Sequence, residues 1–262
     1  MDIALVVAGA MTGLLVGLTG VGSGALMTPL LLLVFGVAPL TAVGTDLWFA
    51  ALTKLVATRI HQGHGLIDWQ VARRLWMGSL PAAAGTLAWV IFRPADAANT
   101  DFLKAAIAVA VVVSALGILA QGWLHAWGRS LRIDAPDRFK ALQGPLTVAA
   151  GAMLGLLVTL TSVGAGALGA VMLICLYPLR LTPPRLIATD IVHAVPLAIF
   201  AGAGHLMAGN VDLALLGNLL LGSVPGVVIG ARLSSRLPHA VLRVVMGGVL
   251  LLIGLKLGAT VA

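Results

Sequence analysis

At 262 residues, 60% of them hydrophobic and 10% charged, the chain carries less than half the charge of a soluble domain, for which about 25% is usual. That composition excludes a soluble globular enzyme, and the apolar runs are too long and too little alternating for a transmembrane β-barrel. The formal charge of +7 therefore reads as a set of topology signals rather than a nucleic-acid footprint, and the single cysteine, Cys175, excludes an intrachain disulfide and reads as a small buried hydrophobe.

Asp2 is the only charge at the N-terminus, so the first segment lacks the basic flank of an ordinary signal peptide. In chain order, apolar segments are predicted at 3–18, 24–35, 40–58, 75–92, 103–120, 145–160, 166–178, 186–203, 213–231 and 240–257. Most reach the roughly 18 to 20 residues that cross a bilayer. The second and seventh do not: segment 24–35 covers about 18 Å against a hydrocarbon core of about 30 Å. Each follows a glycine cluster, "TGVGSGALMTP" at 19–29 and "TSVGAGALGAV" at 161–171, and reads as a half-length helix meeting its neighbour at a break. One orientation places twelve Lys and Arg in cytoplasmic loops (59–74, 121–144, 179–185 and 232–243) and two on the other side. It requires each broken pair to begin and end on the same side, as a re-entrant hairpin or as two short crossings; the short lengths favour the hairpin.

The two clusters belong to an internal repeat. Residues 8–26 and 150–168 match at 15 of 19 positions, and after a two-residue insertion Thr45-Asp46 meets Thr189-Asp190, His61 meets His205, Asp68 meets Asp212, Gly78-Ser79 meets Gly222-Ser223 and Pro81 meets Pro225. Equivalent loops fall on opposite sides by charge, so the repeats are expected to be inverted, an architecture of many secondary transporters. The expected fold is an all-α polytopic membrane protein of two inverted-topology repeats, each a glycine-broken half-helix pair plus three transmembrane helices. The boundaries are 1–122 for the N-terminal repeat, 123–144 for a cytoplasmic linker loop and 145–262 for the C-terminal repeat.

Unwound backbone is tolerated in a bilayer only where protein or a polar cavity satisfies it. A half-helix starting at Gly24 or Gly166 points orphan N–H groups and a partial positive charge inward, which makes an anion site without a basic side chain. Glycine allows close approach to the backbone. The substrate-binding candidates are Thr19, Gly20, Gly22, Ser23, Gly24 and Thr45 in the first half and Thr161, Ser162, Gly164, Gly166 and Thr189 in the second. The alternative is close helix packing through small residues. Asp46, Asp190 and His193 are the coupling candidates, as ionisable groups inside apolar segments; the structural alternative makes the two acids helix caps. Lys54 is expected to snorkel to the cytoplasmic interface, and Pro196 to kink its helix. "GAGALG" at 164–169 fits G-x-G-x-x-G but lies between bilayer-length apolar runs, not in a βαβ unit, so no dinucleotide, other cofactor or metal is expected.

The glycine-rich first break, Pro29 after it, "AVGTDL" at 42–47, "GHGLIDW" at 63–69 and the repetition of this pattern in the second half resemble the TauE/SafE family of sulfite exporter-like or toluene sulfonate uptake permease proteins. The resemblance covers almost the whole chain. It implies transport of a small sulfur-containing anion, such as sulfite or a sulfonate, across a bacterial inner membrane. The family pattern usually reads Gly-Thr-Ser where this chain has Gly44-Thr45-Asp46, and a small polar residue is also usual at Asp190. Two acids beside an anion site repel the substrate unless protonated or paired with a cation, which points to coupling with H+ or Na+. The partners expected are thus the substrate anion, the bilayer and a coupling ion, with no nucleic acid and the oligomeric state open.

Two other readings use the same residues. A passive anion channel needs the backbone donors but no coupling acids. An intramembrane hydrolase would use Ser23 as nucleophile, yet no adjacent base is evident: its repeat partner is Ala165 and the intramembrane histidine is His193. The chain is therefore read as a transporter, not an enzyme. In intact cells of a Cys175→Ser background, an impermeant maleimide should label single cysteines within 204–212 and spare Arg132→Cys; labelling of position 132 from outside would contradict the inverted arrangement.

Overall fold

The computed structural model describes residues 2–19, 24–60, 66–92, 97–134, 136–164, 166–233 and 239–260. Among them every regular element is a helix: α1 (Ile3–Thr19), α2 (Gly24–Leu33), α3 (Pro39–Ile60), α4 (Trp69–Phe92), α5 (Ala97–Leu119), α6 (Gln121–Asp134), α7 (Pro136–Thr161), α8 (Ala167–Leu176), α9 (Pro183–Met207), α10 (Leu213–Leu233) and α11 (His239–Ala259). Six, α4, α5, α7, α9, α10 and α11, are long and apolar enough to cross a membrane. The chain is an all-α polytopic membrane protein, as its composition requires. α3 matches these six in length but carries Asp46, Lys54 and Arg59 along its run. α2 and α8 have ten residues each, about 15 Å of helix, half of what a bilayer needs.

Several helices outrun their apolar windows, because helical turns continue into the headgroup region where hydropathy has already fallen. The clearest departure concerns 123–144, expected as a loop: it is helical, forming most of α6 and the first turns of α7. α6 lays Leu124, His125 and Gly128 on the α8 side, with Gly128 against the Cys175 backbone, and exposes Trp123, Trp127 and Ile133. The two tryptophans stack 6.4 Å apart on that outer face. Exposed indoles beside Arg129 are the composition of a helix lying in the membrane interface.

The helices pair across the repeat. α1 packs along α10, and α4 along α7. Both seams are backbone-to-backbone. A Cβ on Gly9 would lie 2.1 Å from the Leu219 carbonyl oxygen, and one on Gly151 would lie 2.3 Å from that of Leu75. Gly13 meets Ser223 as Gly155 meets Ser79, and Gly222 meets Val6 as Gly78 meets Val148. Each of these contacts in one seam has its repeat-equivalent in the other, and residue numbers rise together along both, so each pair runs parallel. By contrast, α3 and α9 occupy equivalent places in the two halves and run antiparallel: Lys54 faces Asp190, the Trp48 indole donates to the Gly202 carbonyl at 2.9 Å, and Gly44 meets His205. The equivalent helices α5 and α11 are also antiparallel, with Gly247 beside Leu119 and Gly254 beside Val112.

A central apolar cluster that includes Val43, Ile107, Val111, Val158, Leu197 and Leu250 ties the inner helices together. Two side clusters flank it. Leu215 and Leu219 in one are the repeat partners of Val71 and Leu75 in the other.

A methyl group at a glycine seam forces backbone apart, a change of the overpacking kind that costs about 1–3 kcal/mol. Gly222→Ala, with its Cβ 1.8 Å from the Val6 carbonyl oxygen, should lower the unfolding midpoint in detergent by several degrees; Gly217→Ala, on the same helix with nothing within 4 Å, should not.

Candidate functional site

The second break starts where α7 stops. Ser162 adopts φ 57°, Gly164 φ 123° and Gly166 φ 127°, conformations that side chains rarely tolerate and that glycine adopts freely. Thr161 stabilises the turn: its hydroxyl donates to the Leu157 carbonyl at 2.6 Å and accepts the Val163 N–H at 3.1 Å. In the first turn of α8, Gly169 N–H reaches Gly164 O at 3.0 Å and Ala170 N–H reaches Gly166 O at 3.1 Å. Among the described residues, the N–H groups of Ala167 and Leu168 meet no acceptor, which is the orphan-donor state expected of an uncapped helix start.

The start of α2 touches this break. A Cβ on Gly24 would lie 1.9 Å from the Ser162 carbonyl oxygen, so the halves adjoin through backbone at that point. The side chain of Thr19 and residues Gly20, Gly22 and Ser23 lie outside the described residues.

The two equivalent acids are buried in different company. Asp46 accepts a hydrogen bond from the Thr28 hydroxyl at 2.5 Å, and its other oxygen has no partner among the described residues. Asp190 instead faces Lys54, Nζ to Oδ2 3.6 Å. This corrects the expectation for Lys54. It does not snorkel: at 2% exposure it is sequestered between α3 and α9, because a carboxylate on the antiparallel neighbour offers closer compensation than the headgroup region. The other Asp190 oxygen lies against α8, where a Cβ on Gly169 would stand 2.4 Å from it. His193, one turn further along α9, has its Nε2 3.0 Å from the Ser79 hydroxyl of α4. α9 is a continuous helix through Pro196.

Thr45 and Thr189 are occupied by loop backbone. The Thr45 hydroxyl accepts the Asp212 N–H, and the Thr189 hydroxyl accepts the Asp68 N–H, each at 3.0 Å. Asp212 and Asp68 then cap α10 and α4 through the N–H groups of Leu215 and Val71. Asp68 alone of the two also receives Arg180, at 2.6 and 2.8 Å, which ties the α8–α9 loop to the start of α4.

A cavity of about 430 Å³ opens beside α8. Gly166, Ala167 and Asp190 line it, together with the polar Gln121, His125 and Arg243 and the apolar Ile118, Val171, Ile174, Leu186 and Met246. The structure thus brings Gly166 and Asp190 to one cavity, holds Ser162 and Gly164 in the turn beside it, and keeps Thr45, Thr189 and His193 on neighbouring helices in bonds of their own. Thr28, Ser79 and Lys54 are the polar partners that sequence reasoning did not assign. Ser79 had a signal, its repeat partner Ser223, and Lys54 had one as an ionisable group inside an apolar segment, though Ala198 replaces it in the second half; Thr28 had none.

The family model described as sulfite exporter TauE/SafE matches residues 5–257. A Bacillus subtilis protein named probable membrane transporter protein YjnA is 36% identical over 98% of this chain and 100% of its own length. Two others from the same organism, probable membrane transporter proteins YdhB and YunE, are 26% and 23% identical over 88% and 97% of this chain and 89% and 96% of their own lengths. No solved structure matches the chain. The chain belongs to the TauE/SafE family and is a multi-pass bacterial membrane transporter protein.

Removing the threonine pegs leaves a loop amide without its acceptor, at a cost of about 1–3 kcal/mol when the amide is buried. Thr189→Val should therefore lower the thermal midpoint more than Thr45→Val, since the Asp68 amide is buried and that of Asp212 half-buried. Thr→Ser at either position should retain most of the stability, as read by intrinsic fluorescence on heating.

Proposed function

We propose that this TauE/SafE protein is a secondary transporter that moves a small sulfur-containing anion (sulfite, a sulfonate or a similar organosulfur acid) by alternating access. The observation that carries the reading is the meeting of the two glycine breaks, Gly24 of one half against Ser162 of the other, with the amides of Ala167 and Leu168 unpaired at the start of α8. Donors left open inside a bilayer protein call for a polar occupant, and at a helix N-terminus that occupant is an anion. In this reading Thr19, Gly20, Gly22, Ser23 and Gly24 with Ser162, Gly164 and Gly166 form the anion cradle, and Asp46, Asp190 and His193 serve coupling.

The antiparallel course of α3 against α9 and of α5 against α11 supports inverted repeats, with 1–122 and 145–262 as the halves that exchange conformations. The cavity reaches Asp190 from the side bearing Gln121, His125 and Arg243, whose loops the distribution of basic residues assigns to the cytoplasm. Asp46 does not line that cavity and is fully buried. We read this cavity as the inward-facing vestibule of a two-state cycle.

In proteoliposomes, a pH or sodium step should drive sulfite or a short sulfonate against its own gradient; equilibration without accumulation would identify a channel instead. Gly22→Leu and Gly164→Leu should each abolish flux while leaving membrane insertion intact. Normal flux in both variants would reduce the glycines to packing.

A further inference from the structure

We propose that Asp190 is a built-in competitor of the transported anion, which takes over the Lys54 ammonium only when Asp190 is protonated, so that one proton and one anion cross together. This rests on the transporter reading and adds to it a substrate-binding lysine and the coupling ion.

Geometry places the carboxylate between the cavity and the ammonium. Asp190 lines the cavity; Lys54, on the far side at 3.6 Å, does not. The second Asp190 oxygen has no hydrogen-bond partner among the described residues and lies against the first turn of α8, where the Ala167 and Leu168 amides are unpaired. The cavity therefore ends on two positive features, an ammonium and a helix start, both faced by one side chain. An anion in the cavity, where Arg243 and His125 are also lining residues, meets Asp190 before Lys54.

Lys54 also breaks the internal symmetry. Its repeat position is Ala198, and Asp46, the repeat partner of Asp190, is bonded to Thr28 instead. A helix cap inherited through duplication would need no lysine on one side only. The exchange of partners is consequently confined to Asp190.

Charge counting supplies the coupling. The empty pair is neutral: ammonium with carboxylate. The loaded site is neutral as well: ammonium with substrate anion, beside a protonated carboxyl. The two half-loaded states are charged. An anion beside an ionised Asp190 sets two negative charges against one ammonium, and a protonated Asp190 without substrate takes from the ammonium the carboxylate that faces it, which is costly in a buried site. Only the two neutral states are suited to reorientation across the membrane. Proton and anion then bind with positive and reciprocal cooperativity.

Other ionisable groups lie on the two helices of the pair and on those packed against them. On α9, Arg185 lies in the first turn, His193 is engaged with Ser79 of α4 and His205 with the Thr159 carbonyl of α7, and on α3, Asp46 is engaged with Thr28. α6 and α11 contribute His125 and Arg243 to the cavity lining, and α8 contributes Cys175 near its end. The arginines of α4, Arg73 and Arg74, and the Asp137 and Lys140 of α7 lie in the first turns of their helices, and Asp101 and Lys104 of α5 near its start. Arg232 is in the last turn of α10.

The test uses the full chain in proteoliposomes with radiolabelled ethanesulfonate and sulfite. Ethanesulfonate is the anion of a strong acid, so its charge is constant and any pH dependence belongs to the protein. Its apparent affinity in the wild type should weaken by about tenfold per pH unit on the alkaline side, as expected when one protonated form is competent. Its uptake should follow a pH step and ignore an imposed membrane potential. Asp190→Asn should bind and exchange the anion independently of pH and lose proton-driven accumulation. The double variant Lys54→Met/Asp190→Asn removes both members of the pair together, and should lose at least tenfold in affinity at every pH. Wild-type pH dependence in Asp190→Asn, equal affinity in the single and double variants, or a potential-driven flux in the wild type would each overturn the proposal while leaving transport in place. Absence of flux of both probes at every pH in the wild type would overturn the transport reading itself, and the proposal with it.

Discussion

Contact between helix backbones without intervening side chains is the constraint on which this molecule depends. Lipid tails are as apolar as leucine, so nothing hydrophobic drives one membrane helix onto another, and packing at close range has to supply the attraction. The seams of α1 with α10 and of α4 with α7 achieve it through glycines set against carbonyl groups, Gly9 and Gly13 on one, Gly151 and Gly155 on the other. The two close-packed pairs bracket the interior. Only there can the chain leave helical geometry at Ser162–Gly166, because protein rather than lipid surrounds the turn and Thr161 satisfies part of it.

Within that frame the symmetry is geometric but not chemical. Thr45 and Thr189 do the same work at opposite ends, each holding a loop amide whose aspartate caps the next helix. Asp46 and Asp190, one residue later, do not: one meets a hydroxyl, the other an ammonium. Duplication accounts for the shared positions, and divergence of Lys54 from Ala198 accounts for the difference. A transporter built of identical halves would present the same barrier to both sides. Here the electrostatics on the Asp190 side have been set separately.

Legibility in the sequence followed the physics of each feature. The spanning helices and the short α2 and α8 were readable, since bilayer thickness sets a length that apolar runs report. The glycine breaks were readable as breaks. α6 was not: His125, Arg129, Arg132 and Asp134 interleave with its apolar residues, so averaged hydropathy along 123–134 resembles that of a polar loop. The fate of Lys54 was hidden for a different reason. Whether a lysine reaches the interface or a carboxylate depends on which helix lies opposite, and the antiparallel meeting of α3 and α9 is a tertiary fact. The same holds for Thr45 and Thr189, whose hydroxyls looked available until the loops that occupy them were placed.

The seams join helices from different halves, and this has a consequence for how the chain is made. α1 is synthesised well before its partner α10, with eight described helices between them. Throughout that interval the glycine face of α1 is presented to lipid or to a membrane chaperone, and α4 waits in the same way, though more briefly, for α7. Neither half holds a complete seam of its own, so a gene split between α5 and α6 should yield fragments that accumulate only when produced together. Assembly is therefore late and long-range, and a ribosome that stalls after α9 leaves behind an inserted but unfinished protein, a natural target for membrane quality-control proteases.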